Sequence, residues 1–220
     1  MVQAIAPVSR RLVRGVPTRL GALLAPAIVS AALLIAALPA PAASQSGPKL
    51  KVPPGFAIAR EAGLHVTIHA GEWGGAAQVQ RALTVEPERI AHGPGTIDDP
   101  TLCAELRARG ISLDLCPTSN WQAGIVPSVA AHPLARLHRA GVPVTLNTDD
   151  TTVSDITLSE EFVNAVEAIG LTMPELWDID RRALDVAFAD GATLEPLRAA
   201  FDRWAAGVPE LGAAESGAPR

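Results

Sequence analysis

Gly110-Ile111-Ser112-Leu113-Asp114-Leu115-Cys116, near the middle of a 220-residue chain, alternates aliphatic and polar side chains without a break. A period of two belongs to an extended strand, with Ile111, Leu113 and Leu115 on one face and Ser112, Asp114 and Cys116 on the other. Gly110 in front of it suits the end of a helix. The same grammar recurs outward in both directions. Leu64 to His69, Arg89 to His92 and Val142 to Asn147 read as strands, the last again preceded by a glycine, Gly141. Gly75 to Leu83, Asp99 to Arg109 and Pro133 to Arg139 read as the helices between them, so the chain carries four βα units. Leu64, Val66 and Ile68 alternate with His65, Thr67 and His69, and Val144 and Leu146 with Thr145, Asn147 and Asp149. One face of each strand is thus consistently more polar. An open doubly wound sheet buries aliphatics on both faces, whereas a βα barrel keeps polar chemistry at its inner mouth, so the pattern predicts an α/β fold of the barrel type. Helices over Leu158 to Ile169, Pro174 to Ala189 and Leu194 to Ala205 follow the last strand.

The composition narrows the function classes. Apolar residues make up 48% of the chain and charged ones 19%, enough for one sizeable core and too apolar for a disordered chain. A net charge of -5 without a basic cluster beyond the N-terminal region argues against a nucleic-acid surface. The two cysteines, Cys103 and Cys116, make neither a disulfide framework nor a thiolate metal site and read as small buried hydrophobes.

Residues 1–43 are of a different kind. No acidic residue precedes Glu61, and Arg10, Arg11, Arg14 and Arg19 lead into an apolar run from Leu20 to Leu38 that exits at Ala40-Pro41-Ala42-Ala43. This reads as a secretory signal peptide, and Ser9-Arg10-Arg11-Leu12 resembles a twin-arginine signal, which implies a secreted or envelope-associated protein. An uncleaved membrane anchor and a misassigned gene start, the latter leaving a cytoplasmic protein, stay open. Contact with a membrane is expected only through this segment. Residues 44–55 read as a linker, 56–207 as the globular part and 208–220 as a flexible tail.

Each expected strand ends in reactive residues, where a βα barrel places its active site. These are His69-Ala70-Gly71-Glu72, His92-Gly93, Cys116-Pro117-Thr118-Ser119-Asn120 and Asn147-Thr148-Asp149-Asp150. In this order, with Thr67-Ile68 before the first, Arg89-Ile90-Ala91 before the second and Thr157-Leu158-Ser159-Glu160-Glu161 after the last, the chain resembles the adenosine deaminase family of metal-dependent hydrolases. The resemblance begins at Phe56-Ala57-Ile58-Ala59-Arg60 and implies the C-terminal half of a (β/α)8 barrel. It implies His69 and Asp149 as ligands of one zinc ion, Glu72 as proton donor to a purine ring, His92 beside the zinc-bound water and Asp150 as a substrate or water contact. The implied reaction is hydrolytic deamination of adenosine or a related 6-aminopurine, nucleoside or base, to the 6-oxo product and ammonia. The chemistry suits these residue types. Zinc lowers the pKa of its bound water to about 7, and a purine accepts attack once a carboxylic acid has protonated its ring nitrogen. A cytidine-deaminase site would need a Pro-Cys-x-x-Cys pair that the chain lacks.

The remaining histidines are read differently. His65, about 13 Å below His69 along a strand, is expected in the barrel interior, and His132 and His138 in solvated or packing roles on or beside the third helix. Asp114 is expected to be structural.

Part of the family pattern is missing. A family member carries a His-x-His strand with two more zinc ligands, and no His-x-His occurs here. Two ligands predict weak metal binding, since a catalytic zinc takes three or more. Four βα units leave two sheet edges, so a second copy or a separate N-terminal half-barrel is an expected partner, and the chain is expected to be truncated or rearranged. Thr151 stands where the family often has proline, which touches only the loop shape. The competing expectation is a non-catalytic remnant or exported binding protein that keeps the half-barrel without turnover.

Overall fold

Four strands pair in chain order and in parallel: β1 (Thr67–His69), β2 (Arg89–Ala91), β3 (Ser112–Leu115) and β4 (Val144–Leu146). The computed structural model describes residues 52–212. Its register aligns the two faces expected from the alternation. Ile68, Ile90, Leu113 and Val144 form one row across the sheet, with Leu115 opposite Leu146. His69, Ala91, Asp114 and Thr145 form the next row, on the opposite face. The aliphatic row is covered by helices. Leu102 and Leu106 of α3 (Pro100–Arg109), Leu134 and Leu137 of α5 (Leu134–Arg139) and Ile179 of α8 (Met173–Asp185) share one buried cluster with Ile90, Leu113, Leu115 and Val144. On the polar face a short ladder links the strands. Asp114 accepts from Thr145 Oγ1 at 2.8 Å and pairs with Arg89 at 3.3 Å, and Asn147 Nδ2 donates to Thr145 Oγ1 at 2.9 Å. These contacts tie Asp114 to the strands on either side of it.

The other helices are α1 (Pro54–Glu61), α2 (Gly75–Ala82), α4 (Pro117–Gln122), α6 (Thr151–Ser154), α7 (Leu158–Glu167), α9 (Gly191–Ala205) and α10 (Pro209–Gly212). Their stops and starts follow local rules. Gly110 ends α3 in the left-handed conformation, and Thr157 and Thr172 open α7 and α8 as capping boxes with Glu160 and Glu175.

Several boundaries differ from the sequence reading. The first strand begins at Thr67, not Leu64, because its one partner, β2, begins at Arg89, opposite Thr67. Leu64 is exposed, and His65 stacks on Phe188 at a centroid distance of 4.3 Å and meets Glu88 at 2.6 Å. His65 is therefore half-exposed at the foot of the sheet rather than inside a barrel. Helix α1 starts at Pro54, within the stretch read as a linker, with the proline at a first-turn position that needs no N–H donor. Helix α10 occupies the beginning of the segment read as a tail. The signal-like segment 1–43 and residues 213–220 lie outside the described residues. No helix among the described residues is long and apolar enough to cross a membrane.

Candidate functional site

His69 ends β1, and the chain then doubles back through Gly71. Gly71 has φ 83°, and a Cβ there would stand 2.4 Å from Val79 Cγ2 and 2.8 Å from the Gly93 backbone. Only glycine tolerates both the conformation and the approach. The turn returns Glu72 beside His69, with Glu72 Oε2 2.8 Å from His69 Nε2. The carboxyl group is buried while the imidazole is open, their side chains being 6% and 58% exposed.

His92 reaches the site by a backbone device. By strand parity the residue after Ala91 would share the face of Ile90, among the aliphatics. Instead His92 has φ 70° and its N–H donates to Asp114 O at 2.9 Å, which swings the ring to the polar side. It is buried there, its ring centroid 4.5 Å from that of His69. Nε2 lies 3.9 Å from Glu72 Oε2 and 4.0 Å from Asp149 Oδ2. Burial lowers the pKa of His92, with Glu72 opposing that shift and His69 adding to it.

Asp149 also has a left-handed backbone, φ 60°, and its Oδ2 accepts from Ser119 Oγ at 2.7 Å. Ser119 and Asn120 sit on α4, whose first turn is fixed from outside: the buried Glu161 of α7 accepts from the Thr118 N–H at 2.8 Å. Burial raises the pKa of Glu161. Asp150 is placed otherwise. Its Oδ1 caps α6 by accepting from the Thr152 and Val153 N–H groups, each at 2.9 Å, and it does not line the hollow formed by its neighbours.

That hollow, of about 380 Å³, opens at the strand ends and is lined by His69, His92, Asp114, Cys116, Asn147 and Asp149 among others. Glu72 stands at its border and lines an adjoining depression with Trp73 and Ile125. Of the five residues singled out from sequence, His69, Glu72, His92 and Asp149 therefore converge, and Asp150 faces its helix. Burial pushes the Cys116 thiol far above its usual range. His69, Glu72 and His92 offer ligand-type atoms within 4.8 Å of one another. As a zinc donor set the residues fit in part. His69 and Asp149 are sound ligand types at the same hollow, but they are two where a catalytic zinc takes three protein ligands.

Sequence reasoning missed how the site is held. Ser119 and Asn120 were visible as a motif without a role, and Glu161 as a helix-start residue. His132, expected in a solvated or packing role, is 3% exposed and bonds Asn120, one residue removed from His92. No sequence spacing announces that contact.

With the geometry in hand, the comparisons with known proteins agree. A family model described as Adenosine deaminase matches residues 36–204. An adenine deaminase of Rhizobium meliloti (strain 1021) is 44% identical over 147 residues, which cover 66% of this chain and 45% of that protein. One of Chelativorans sp. (strain BNC1) is 42% identical over 143 residues, 64% of this chain and 44% of its own. Among solved structures, the adenine deaminase from Arthrobacter aurescens superposes with a TM-score of 0.64 at 31% identity, covering 68% of this chain and 46% of that one. An amidohydrolase from Burkholderia ambifaria with bound Zn gives 0.62 at 30%, with coverages of 68% and 43%. The chain thus spans somewhat less than half the length of the relatives it matches. Motif order, parallel half-barrel and family match agree that this chain belongs to the adenosine deaminase family.

Proposed function

We propose that this chain supplies one half of the active site of a zinc-dependent aminopurine deaminase that replaces the 6-amino group by oxygen and releases ammonia. The observation that carries the reading is that His69, His92 and Asp149 converge on one hollow at the strand ends, with Glu72 at its border 2.8 Å from His69 and 3.9 Å from His92. That relatives are named adenine deaminases supports the free base adenine, rather than its nucleoside, as the substrate proposed here. Glu72, buried and 2.8 Å from His69 through one oxygen, is the group placed to protonate the purine ring, the role that the family resemblance gives it. Ser119 orients Asp149. His69 and Asp149 would hold Zn²⁺, which when bound supplies a water of pKa about 7. His92, 4.0 Å from Asp149, would lie beside such a water, and Asp150, with one oxygen committed to capping α6, would contribute only a peripheral substrate contact.

The missing third ligand calls for a partner, either an N-terminal half-barrel carrying His-x-His or a second copy. The test is ammonia release from adenine and from adenosine by the purified chain with zinc, alone and mixed with the N-terminal half of the Rhizobium meliloti relative. Activity on complementation is expected, with adenine the better substrate. A folded chain that releases no ammonia in either arm ends the proposal.

A second reading, a binding protein or remnant without turnover, is favoured by the absence of any His-x-His in the sequence. Metal analysis separates the two. The deaminase reading expects less than one zinc per chain in the isolated protein and about one in the complemented assembly; the remnant reading expects none in either.

A further inference from the structure

The nitrogen of His92 that carries the proton is set by a buried relay beginning at a backbone amide. Leu134 is the first residue of α5, so its N–H has no partner within the helix. It donates to His132 Nδ1 at 3.2 Å. A peptide N–H can only donate, so Nδ1 of His132 is the accepting nitrogen and Nε2 bears the hydrogen. Nε2 faces the Asn120 amide at 3.1 Å, and a donor there requires Oδ1 of the amide. The other end of the amide is then Nδ2, a donor, which meets His92 Nδ1 at 3.2 Å. All three side chains are buried, at 3% exposure or less, so water does not stand in for any partner. Each step has one permitted sense, fixed by the one before it.

We infer that His132 is a positioning residue which, through Asn120, holds neutral His92 in the Nε2–H form, with that hydrogen aimed into the hollow between Glu72 and Asp149. Burial and the neighbouring His92 press the pKa of His132 down to about 4, in keeping with a neutral ring at the head of the relay.

Two consequences follow. Although His69, Glu72 and His92 lie close enough to share a metal ion, His92 is not one of its ligands. A metal-bound imidazole donates its remote N–H to an acceptor, and the remote nitrogen of His92 faces a donor. On the deaminase reading, which this second consequence rests on, neutral His92 offers the attacking oxygen a hydrogen rather than a lone pair. It would stabilise charge developing there and would not take the water's proton.

The tautomers can be read directly by long-range proton–nitrogen correlation on ¹⁵N-histidine-labelled protein, without metal or substrate. The wild type is expected to show protonated Nε2 and bare Nδ1 for both His132 and His92. Asn120→Asp replaces the amide by a group that accepts from both rings, and is expected to move the His92 hydrogen to Nδ1. His132→Ala frees the amide and is expected to give a mixed His92 population, while His132→Gln, which restores a donor near the position of Nε2, is expected to return it to the single Nε2–H form. A wild-type His92 protonated at Nδ1 overturns the inference even if no variant folds. So does a folded His132→Ala or Asn120→Asp protein in which His92 keeps the wild-type pattern. Because no turnover is measured, failure of the deaminase reading would leave this result intact.

Discussion

At the scale of the residue, Glu72 and Gly71 carry separate burdens at adjacent positions. Glu72 is the proposed acid, and glutamine keeps its shape and its bond to His69 while abolishing the acidic hydrogen. Glu72→Gln in the complemented enzyme is expected to lower kcat about 10²–10⁴-fold with the urea midpoint unchanged, as measured by ammonia release and denaturation. Gly71→Ala tests the turn. Its new methyl group would meet the backbone of Gly93, which cannot step aside as a flexible side chain can, and would sit at a positive φ. A loss of about 3 kcal/mol in urea denaturation is expected. The reactive residues were legible in sequence because strand ends concentrate them and because four such ends came in family order. What could not be read was orientation. Nothing in Asp149-Asp150 tells which carboxylate faces the hollow and which caps α6; the left-handed backbone at Asp149 decides it. His132 was illegible for a related reason, since its partner Asn120 lies across a loop whose path no periodicity encodes.

At the scale of the element, the strands were legible in phase but not in length. The alternation put Ile68, Leu113 and Val144 on the aliphatic side of their strands, and the register aligns them in one row through Ile90, yet the ladder keeps only three or four residues of each run. Pairing ends where a neighbour's backbone turns away, which side-chain pattern does not report. Helix α4 is short and was invisible, because six residues opening on Pro117 show no helical period; it is fixed by Glu161 reaching over from α7. Removing that acceptor by Glu161→Ala leaves the Thr118 N–H buried and unpaired and is expected to cost about 2–3 kcal/mol, read by thermal or urea unfolding. Helix α8 is tied to α5 by Arg139, whose guanidinium holds both oxygens of Glu175 at 2.7 and 2.9 Å. That hydrogen bond, helped by the Thr172 cap and opposed by burial, draws the Glu175 pKa down to about 2. A depressed acid stabilises the fold above its unfolded pKa of 4.5 and loses the effect as pH falls through 2. The urea midpoint of wild type is therefore expected to exceed that of Glu175→Gln at pH 6, with the gap closing between pH 4.5 and 2. A gap independent of pH would mean that the pair contributes packing rather than charge.

At the scale of the molecule, β1 and β4 end the sheet, and Thr67 and His69 of β1 lie exposed while all of β4 is buried. The open side is thus the β1 side, where His69 sits. Amide exchange is expected to show it: Thr67, Ile68 and His69 should exchange much faster than Ile90, Leu113 and Leu115 in the isolated chain, and the difference should shrink when the N-terminal half of a relative is added. Unchanged exchange at β1 after addition would argue that no such half docks there. Barrel type was legible because the two strand faces differ, and the half came from counting βα units against a family pattern of eight. The export signal expected for residues 1–43 has its own test, N-terminal sequencing of the protein recovered from cell envelope and medium.

The left-handed turns at His92 and Asp149 carry a lesson for anyone who would transplant this constellation. Side chains alone are not portable. An imidazole grafted onto an ordinary extended strand tip would be delivered to the greasy layer beneath the sheet, so a designer must copy the two backbone twists first and choose the reactive groups second.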